Sequence, residues 1–337
     1  MIANIYTNRE FVVSDHGHKS KTHRQLFGIS QGCPLSPFLF VMVMTVLLHD
    51  ANDLLRDMHH IDLSEMGCSD LVYADDTLLV GVNANYLQKY MECIAQIGSE
   101  YGLKLNWSKV EQMNVNCQNM PIYAPTGEEI GVKSHMKYLG AQLAADGRIE
   151  SEIAQKLGIA SREFKCLRRI WSHCNISVAF KLIVFTSCVI QKLLYSLETA
   201  WLNKNTLRKL DGFYAKCLRS ILKISPSYIS RVTNHYVLQQ FNVPPLSRVL
   251  LQRQLLLFGR IARMSNESVV RDSIFEHNNV AIKSNIHRKR GRPRNTWSNE
   301  VAKVAHEVAH DTDLHEAVKN QMSWHKSVKS FCSVHPC

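Results

Sequence analysis

The chain has 337 residues, 45% apolar and 20% charged, enough for two or three domains with cores and unlike a natively disordered or collagenous polypeptide. Its longest apolar stretch, Phe38 to Leu48, falls short of the roughly 18 residues that cross a bilayer, so neither a membrane span nor a membrane partner is expected. The ten cysteines form no Cys-x-x-Cys pair and no secretory pattern follows Met1, which points to reduced thiols in an intracellular protein, nuclear or cytoplasmic. Charge divides unevenly: residues 1–150 hold 11 Lys and Arg against 17 Asp and Glu, net −6, and residues 151–337 hold 29 against 12, net +17. The first part is acidic, and the second suits a polyanion.

In chain order, Ile5-Tyr6 and Glu10 to Val13 read as strands, with Asp15-His16-Gly17 as a turn. In the block Gly28-Ile29-Ser30-Gln31-Gly32-Cys33-Pro34-Leu35-Ser36-Pro37, Gly32 lets something approach the backbone closely. Ser36 suits an N-cap and Pro37 a first helical residue. The helix that follows should reach about Met58, with an apolar first half buried behind a sheet. Leu71-Val72-Tyr73 and Thr77 to Val80 predict a hairpin whose tip, Tyr73-Ala74-Asp75-Asp76, carries two adjacent carboxylates. Such a pair is either a solvated turn or a seat for a hard cation such as magnesium. A helix over about 85–101, a strand with Met113 and Val115, and a segment from Lys137 to Leu143 complete this part.

After Gly147 the apolar period changes from two to 3.6. Ile149, Ile153, Leu157, Ala160, Phe164, Leu167 and Trp171 mark one helix face, with Lys156, Arg162, Lys165, Arg168 and Arg169 elsewhere on it. Further helices are expected from about 175 to 199, from 206 to 223 (with Arg208, Lys209, Lys216, Arg219 and Lys223) and from 246 to 264 (with Arg248, Arg253, Arg260 and Arg263). The polar remainder holds His287 to Arg294, expected as part of an extended arm. Within it Arg290, Arg292 and Arg294 fit a minor-groove hook, a nuclear-localisation signal or a solvated linker. Two zinc patterns are weak: the string His306-Glu307-Val308-Ala309-His310, and His325 with Cys332, His335 and Cys337.

Four blocks carry a resemblance: Gln31-Gly32-Cys33-Pro34-Leu35-Ser36-Pro37, Tyr73-Ala74-Asp75-Asp76, Gly102-Leu103-Lys104-Leu105-Asn106 with Lys109, and Lys137-Tyr138-Leu139-Gly140. Their order and spacing resemble the palm of reverse transcriptases, of the non-LTR (LINE-type) retrotransposon kind. The resemblance implies an α+β fold. Residues 1–148 would form a partial palm, an antiparallel sheet with helices on one face. Residues 149–264 would form an all-α thumb and following helix, and 265–337 a basic, partly unstructured extension. It implies an RNA-directed DNA polymerase acting on an RNA template, a DNA primer and dNTPs, with two Mg²⁺ or Mn²⁺ ions in the complete enzyme.

By the same resemblance, Asp75 and Asp76 would be metal ligands, and Lys109 would lie near the departing pyrophosphate. Gln31, Gly32, Pro34, Tyr73 and Ala74 would line the template and incoming nucleotide. Tyr138, Leu139 and Gly140 would hold the primer end, and Lys156, Arg162, Lys165, Arg168 and Arg169 would grip duplex. One departure weighs against activity: the family's upstream Phe-x-x-Asp carboxylate has no counterpart between Met1 and Ile29, where Asp15 is the only aspartate. The chain is therefore expected to be the C-terminal part of a longer polyprotein, inactive alone. The rival reading is a non-catalytic nucleic-acid-binding protein on the same scaffold.

Overall fold

Two helices and a hairpin make the core of the first of two units, residues 1–139, and a longer set of helices makes the second, residues 140–337. A computed structural model describes residues 2–30, 32–60, 69–117, 120–173, 175–283, 295–310 and 312–334.

In the first unit, the short helix α1 (Ile2–Tyr6) is followed by strands β1 (Glu10–Phe11), β2 (Ser14–Asp15), β3 (His18–Lys19) and β4 (His23–Arg24). Ile5 and Tyr6 are therefore helical rather than extended. The ribbon β2–β3 turns at His16 and Gly17, both with positive φ. That is the twist a two-residue hairpin requires.

Helix α2 spans Ser36–His59 and helix α3 spans Ala84–Glu100. Leu47, Leu48, Ala51 and Leu55 recur at helical spacing and bury against Tyr90, Cys93 and Ile97 of α3. Each fully buried leucine contributes about 1.5–3 kcal/mol. Asn83 caps α3 by accepting from the Asn85 amide. Ser36, by contrast, is not the cap of α2. That place belongs to Leu35, while Ser36 lies buried in the first turn with Oγ 3.3 Å from the Tyr6 hydroxyl.

The first half of α2 is not buried as its composition suggested. Phe38 is 69% exposed and Met42 64% exposed, with Val41 and Val46 similarly open. The reason is local: the core that α2 shares with α3 and the hairpin takes in Leu47, Leu48, Ala51 and Leu55 and none of the apolar residues from Phe38 to Val46. Among the described residues α2 is also the one helix long and apolar enough to cross a membrane, judged by length and composition alone.

Strands β5 (Ser69–Tyr73) and β6 (Asp76–Val80) pair antiparallel, as do β7 (His135–Tyr138) and β8 (Ala141–Ala144). The expected continuous antiparallel sheet is not present among the described residues, which instead hold four separate two-stranded sheets. Around Met113 and Val115 there is only an isolated bridge between Gln112 and Val132.

The second unit begins with α4 (Glu150–Cys166) and α5 (Arg168–Ser172), one predicted helix broken at Leu167. Next come α6 (Val178–Phe185), capped by Ser177, a π-helical turn over Thr186–Ile190, and α7 (Gln191–Leu194). Helices α8 (Lys204–Leu222), α9 (Ser227–Ser230), α10 (Asn234–Phe241), α11 (Leu246–Ala262) and α12 (Val269–Asp272) follow. The chain ends in α13 (Trp297–Ala309), α14 (Leu314–Lys319) and α15 (Gln321–Val334).

These last three helices overturn the expectation of an unpacked arm after residue 265. Val301, Ala305, Val308, Leu314, Val318, Trp324 and Val328 bury against Leu255, Phe258 and Ile261 of α11. The Trp324 indole donates to the Leu255 carbonyl at 3.0 Å. Helix α11 also serves the preceding core through Leu246 and Leu250. One helix thus belongs to two cores, which explains why the chain does not divide at 264.

Candidate functional site

The acidic pair stands where alternation places it, at the tip of β5–β6. Register pairs Ser69 with Val80, Leu71 with Leu78 and Tyr73 with Asp76, leaving Ala74 and Asp75 as the two-residue turn. Ala74 has φ of 54°, the left-handed region that glycine favours, and an alanine tolerates it better than a branched residue would. Tyr73, Asp75 and Asp76 are all exposed. The root of the hairpin is fixed: the Tyr90 hydroxyl on α3 donates to Asp70 Oδ2 at 3.4 Å, and Leu79 packs on the α2–α3 core. Burial, then the neighbouring Asp70 charge, pushes the Tyr90 hydroxyl well above its ordinary range, so it remains a donor.

A second segment meets this hairpin. The Tyr138 hydroxyl donates to the Leu71 carbonyl at 3.2 Å, which brings β7 beside β5. The Leu139-Gly140 turn that follows has φ of 47° and 81°. Two sequence blocks lying 60 or more residues apart, those of Tyr73 and Tyr138, are therefore neighbours through a hydrogen bond that spans 67 positions.

The other predicted positions are less closely joined. Gln31 lies outside the described residues. Gly32 has φ of 85°, which explains the glycine by conformation, and Pro34 is exposed. Next to them the Leu35 amide, helped by Ser36 and Tyr6, holds the Cys33 thiol below its ordinary range against the opposing effect of desolvation. Sequence reasoning gave Cys33 no role, and only the first turn of α2 reveals this environment. Lys109 sits exposed in the 3₁₀ turn Trp107–Lys109 and has no ion pair among the described residues.

Two adjacent exposed carboxylates do not complete a two-ion centre. Among the described residues no group of three or more His, Cys, Asp or Glu side chains is arranged to hold a metal. Asp15 sits on the β2–β3 ribbon with His16 Nδ1 at 2.7 Å. The zinc strings fare no better: α13 ends at Ala309 and His310 follows with a positive φ, so the His306–His310 pair is not one helical turn of ligands. Of the tail set, His335 and Cys337 lie outside the described residues, and Cys332 is buried.

The basic residues sort into two kinds. Arg162, Lys165, Arg168 and Arg169 are exposed and carry no ion pair among the described residues. Lys156 is a correction: it is buried, with Nζ 3.4 Å from Glu152 Oε1 and donating to the Tyr195 carbonyl at 2.7 Å. An ammonium held in that way serves the fold and is not free for phosphate. Arg219 and Arg248 are buried for the same reason, donating to the Val232 and Cys332 carbonyls. Arg290, Arg292 and Arg294 lie outside the described residues.

Residues 1–143 match the family described as reverse transcriptase (RNA-dependent DNA polymerase). The match covers the acidic hairpin, the helix-initiating Gly32–Pro37 block and the Tyr138 turn, and stops before α4. Polymerases of this family generally use divalent metals and act on template, primer and nucleotides. No curated protein matches the chain.

Proposed function

We propose that this chain is a reverse-transcriptase fragment of the non-LTR retrotransposon type. In this reading residues 1–139 are a partial palm, the helices from α4 onward act as a thumb on an RNA–DNA hybrid, and Asp75 and Asp76 are what the chain retains of the catalytic carboxylates. The observation that carries the reading is the β5–β6 hairpin, with its acidic tip and Tyr138 bonded to its first strand, inside the matched region. Among the described residues the donor set is one carboxylate short of a two-ion centre, so no polymerisation step is assigned to the chain acting alone.

Phosphoryl transfer draws most of its rate from positioning and electrostatic stabilisation rather than covalent chemistry. An incomplete ligand set should therefore abolish turnover rather than slow it. What remains is binding: the exposed Arg162, Lys165, Arg168 and Arg169 neutralise phosphates, giving an affinity that falls steeply with salt. The test is primer extension with purified protein, an RNA template, a DNA primer, dNTPs and Mg²⁺ or Mn²⁺, beside a binding assay on the same hybrid. Salt-dependent binding without extension is expected. Template-dependent product that disappears in Asp75→Ala would overturn the inactivity, and absence of hybrid binding would overturn the fragment reading.

A further inference from the structure

Between Asp211 and Glu267 the sequence contains no acidic residue, yet it holds eight Lys and Arg. Four of these arginines are engaged inside the unit: Arg219 and Arg248 as above, Arg253 on Gln191 Oε1, and Arg263 on the Val318 carbonyl. Lys216, Lys223, Arg231 and Arg260 are left at the surface, and Lys209 stands just before the stretch. Lys209, Lys216 and Lys223 are exposed and seven residues apart, nearly two helical turns, so they step along one face of α8 to its end. None of the three has an ion pair among the described residues.

Where α8 ends, two aromatic rings stand in solvent. Tyr228 on α9 is 74% exposed and Tyr236 on α10 is 48% exposed, with Arg231 between them in sequence and also exposed and unpaired. Neither tyrosine hydroxyl has a hydrogen bond among the described residues. Their support is rigid. Arg219, buried under the loop, donates to the Val232 carbonyl at 2.7 Å and to Asn234 Oδ1 at 2.9 Å. Thr233 caps α10 by accepting from the Tyr236 amide, and the fully buried Val237 fixes α10 to the core. A buried guanidinium is costly to keep, and here it holds in place a loop whose outer side chains do nothing for the core.

We propose that the α8 lysine row and the Tyr228–Tyr236 loop form a binding surface for single-stranded nucleic acid. The lysines neutralise successive phosphates, and the tyrosine rings stack on unpaired bases, each base–ring contact being sequence-tolerant. A duplex keeps its base faces covered and offers the rings nothing, so the rings give the preference for single strands. The surface belongs to the second unit alone and does not depend on the palm being active.

The test is fluorescence anisotropy on the full chain with labelled oligo(U), oligo(dT) and a mixed-sequence duplex. Replacing Tyr228→Ala together with Tyr236→Ala should weaken binding of a single strand about tenfold or more and change duplex binding less than about twofold. The Tyr228→Phe, Tyr236→Phe pair should keep wild-type affinity, which separates stacking from folding. Loss on oligo(U) alone, on oligo(dT) alone or on both supports the surface and tells which sugar it accepts. Unchanged single-strand affinity in the alanine pair, or equal loss on single strand and duplex, overturns it. The fragment reading fails on loss of RNA–DNA hybrid binding by the unmodified chain, and this surface fails on the response of the alanine pair to single strands, so the two failures are distinguishable.

Discussion

Replacing Gly259 by alanine puts the packing of the last three helices to a signed test. Gly259 lies inside α11, and a Cβ built there would collide with Nε1 and Cδ1 of Trp324 and come within 3.1 Å of Arg263 Nη1. Trp324 is fully buried and bonded to the Leu255 carbonyl, and Arg263 is bonded to the Val318 carbonyl, so neither can give way freely. Overpacking of this kind costs about 1–3 kcal/mol. In a unit of roughly 200 residues, with about 2–4 °C per kcal/mol, the melting temperature should fall by about 6 °C at the centre of the range. If residues 295–334 were a solvated arm, the same change would stabilise, since alanine exceeds glycine in a helix interior by about 1 kcal/mol. Thermal melts followed by far-UV circular dichroism decide it. A melting temperature equal to or above wild type would refute the packing of Trp324 on α11.

Four further outcomes follow from named side chains. Lys156→Ala should destabilise the second unit by about 3–5 kcal/mol in urea titration, because Glu152 is left buried without its cation. Arg168→Gln with Arg169→Gln should leave stability unchanged and lower the slope of log K against log salt by about 2 for nucleic-acid binding. Gly140→Ala should cost about 1–3 kcal/mol, since φ is 81° and the added Cβ would sit 3.2 Å from Tyr195 Cε1; unaltered urea unfolding would contradict it. In alkali, burial pushes the Cys217 thiol from 9.0 up to about 12 and the Tyr214 hydroxyl from 10.0 up to about 12. Raised acids favour the folded state while neutral, so their contribution is complete below the ordinary values and is lost as pH rises toward 12. The melting temperature should therefore decline from about pH 9 upward, less so in Cys217→Ala.

The hairpin was legible because its evidence is local: alternating apolar residues on each side and a two-residue tip. The helices from 150 to 262 were legible for the same reason, through the 3.6-residue period. What escaped depends on partners distant in sequence. The apolar first half of α2 reads as buried in any window, but whether a cover exists is a tertiary fact. Lys156, Arg219 and Arg248 were counted as surface charge because a sequence does not say which cations turn inward. The helices after Trp297 did carry a signal. Val301, Ala305 and Val308, then Leu314 and Val318, then Trp324 and Val328, lie on helical spacings, but the basic run before them masks the pattern. For the site, the sequence named the acidic tip and the Tyr138 turn; their meeting at the Leu71 carbonyl needed the fold.

In the proposed reading the β5–β6 tip and the Tyr138 turn face the end of a growing DNA strand. Photo-cross-linking measures this directly: a primer with a 4-thiothymidine at its 3′ end, annealed to an RNA template, is irradiated with the protein and the adducts are mapped by mass spectrometry. Adducts concentrated in residues 71–80 and 135–140, and reduced by unlabelled hybrid, are the predicted result. Adducts confined to the second unit, or spread evenly along the chain, would contradict it.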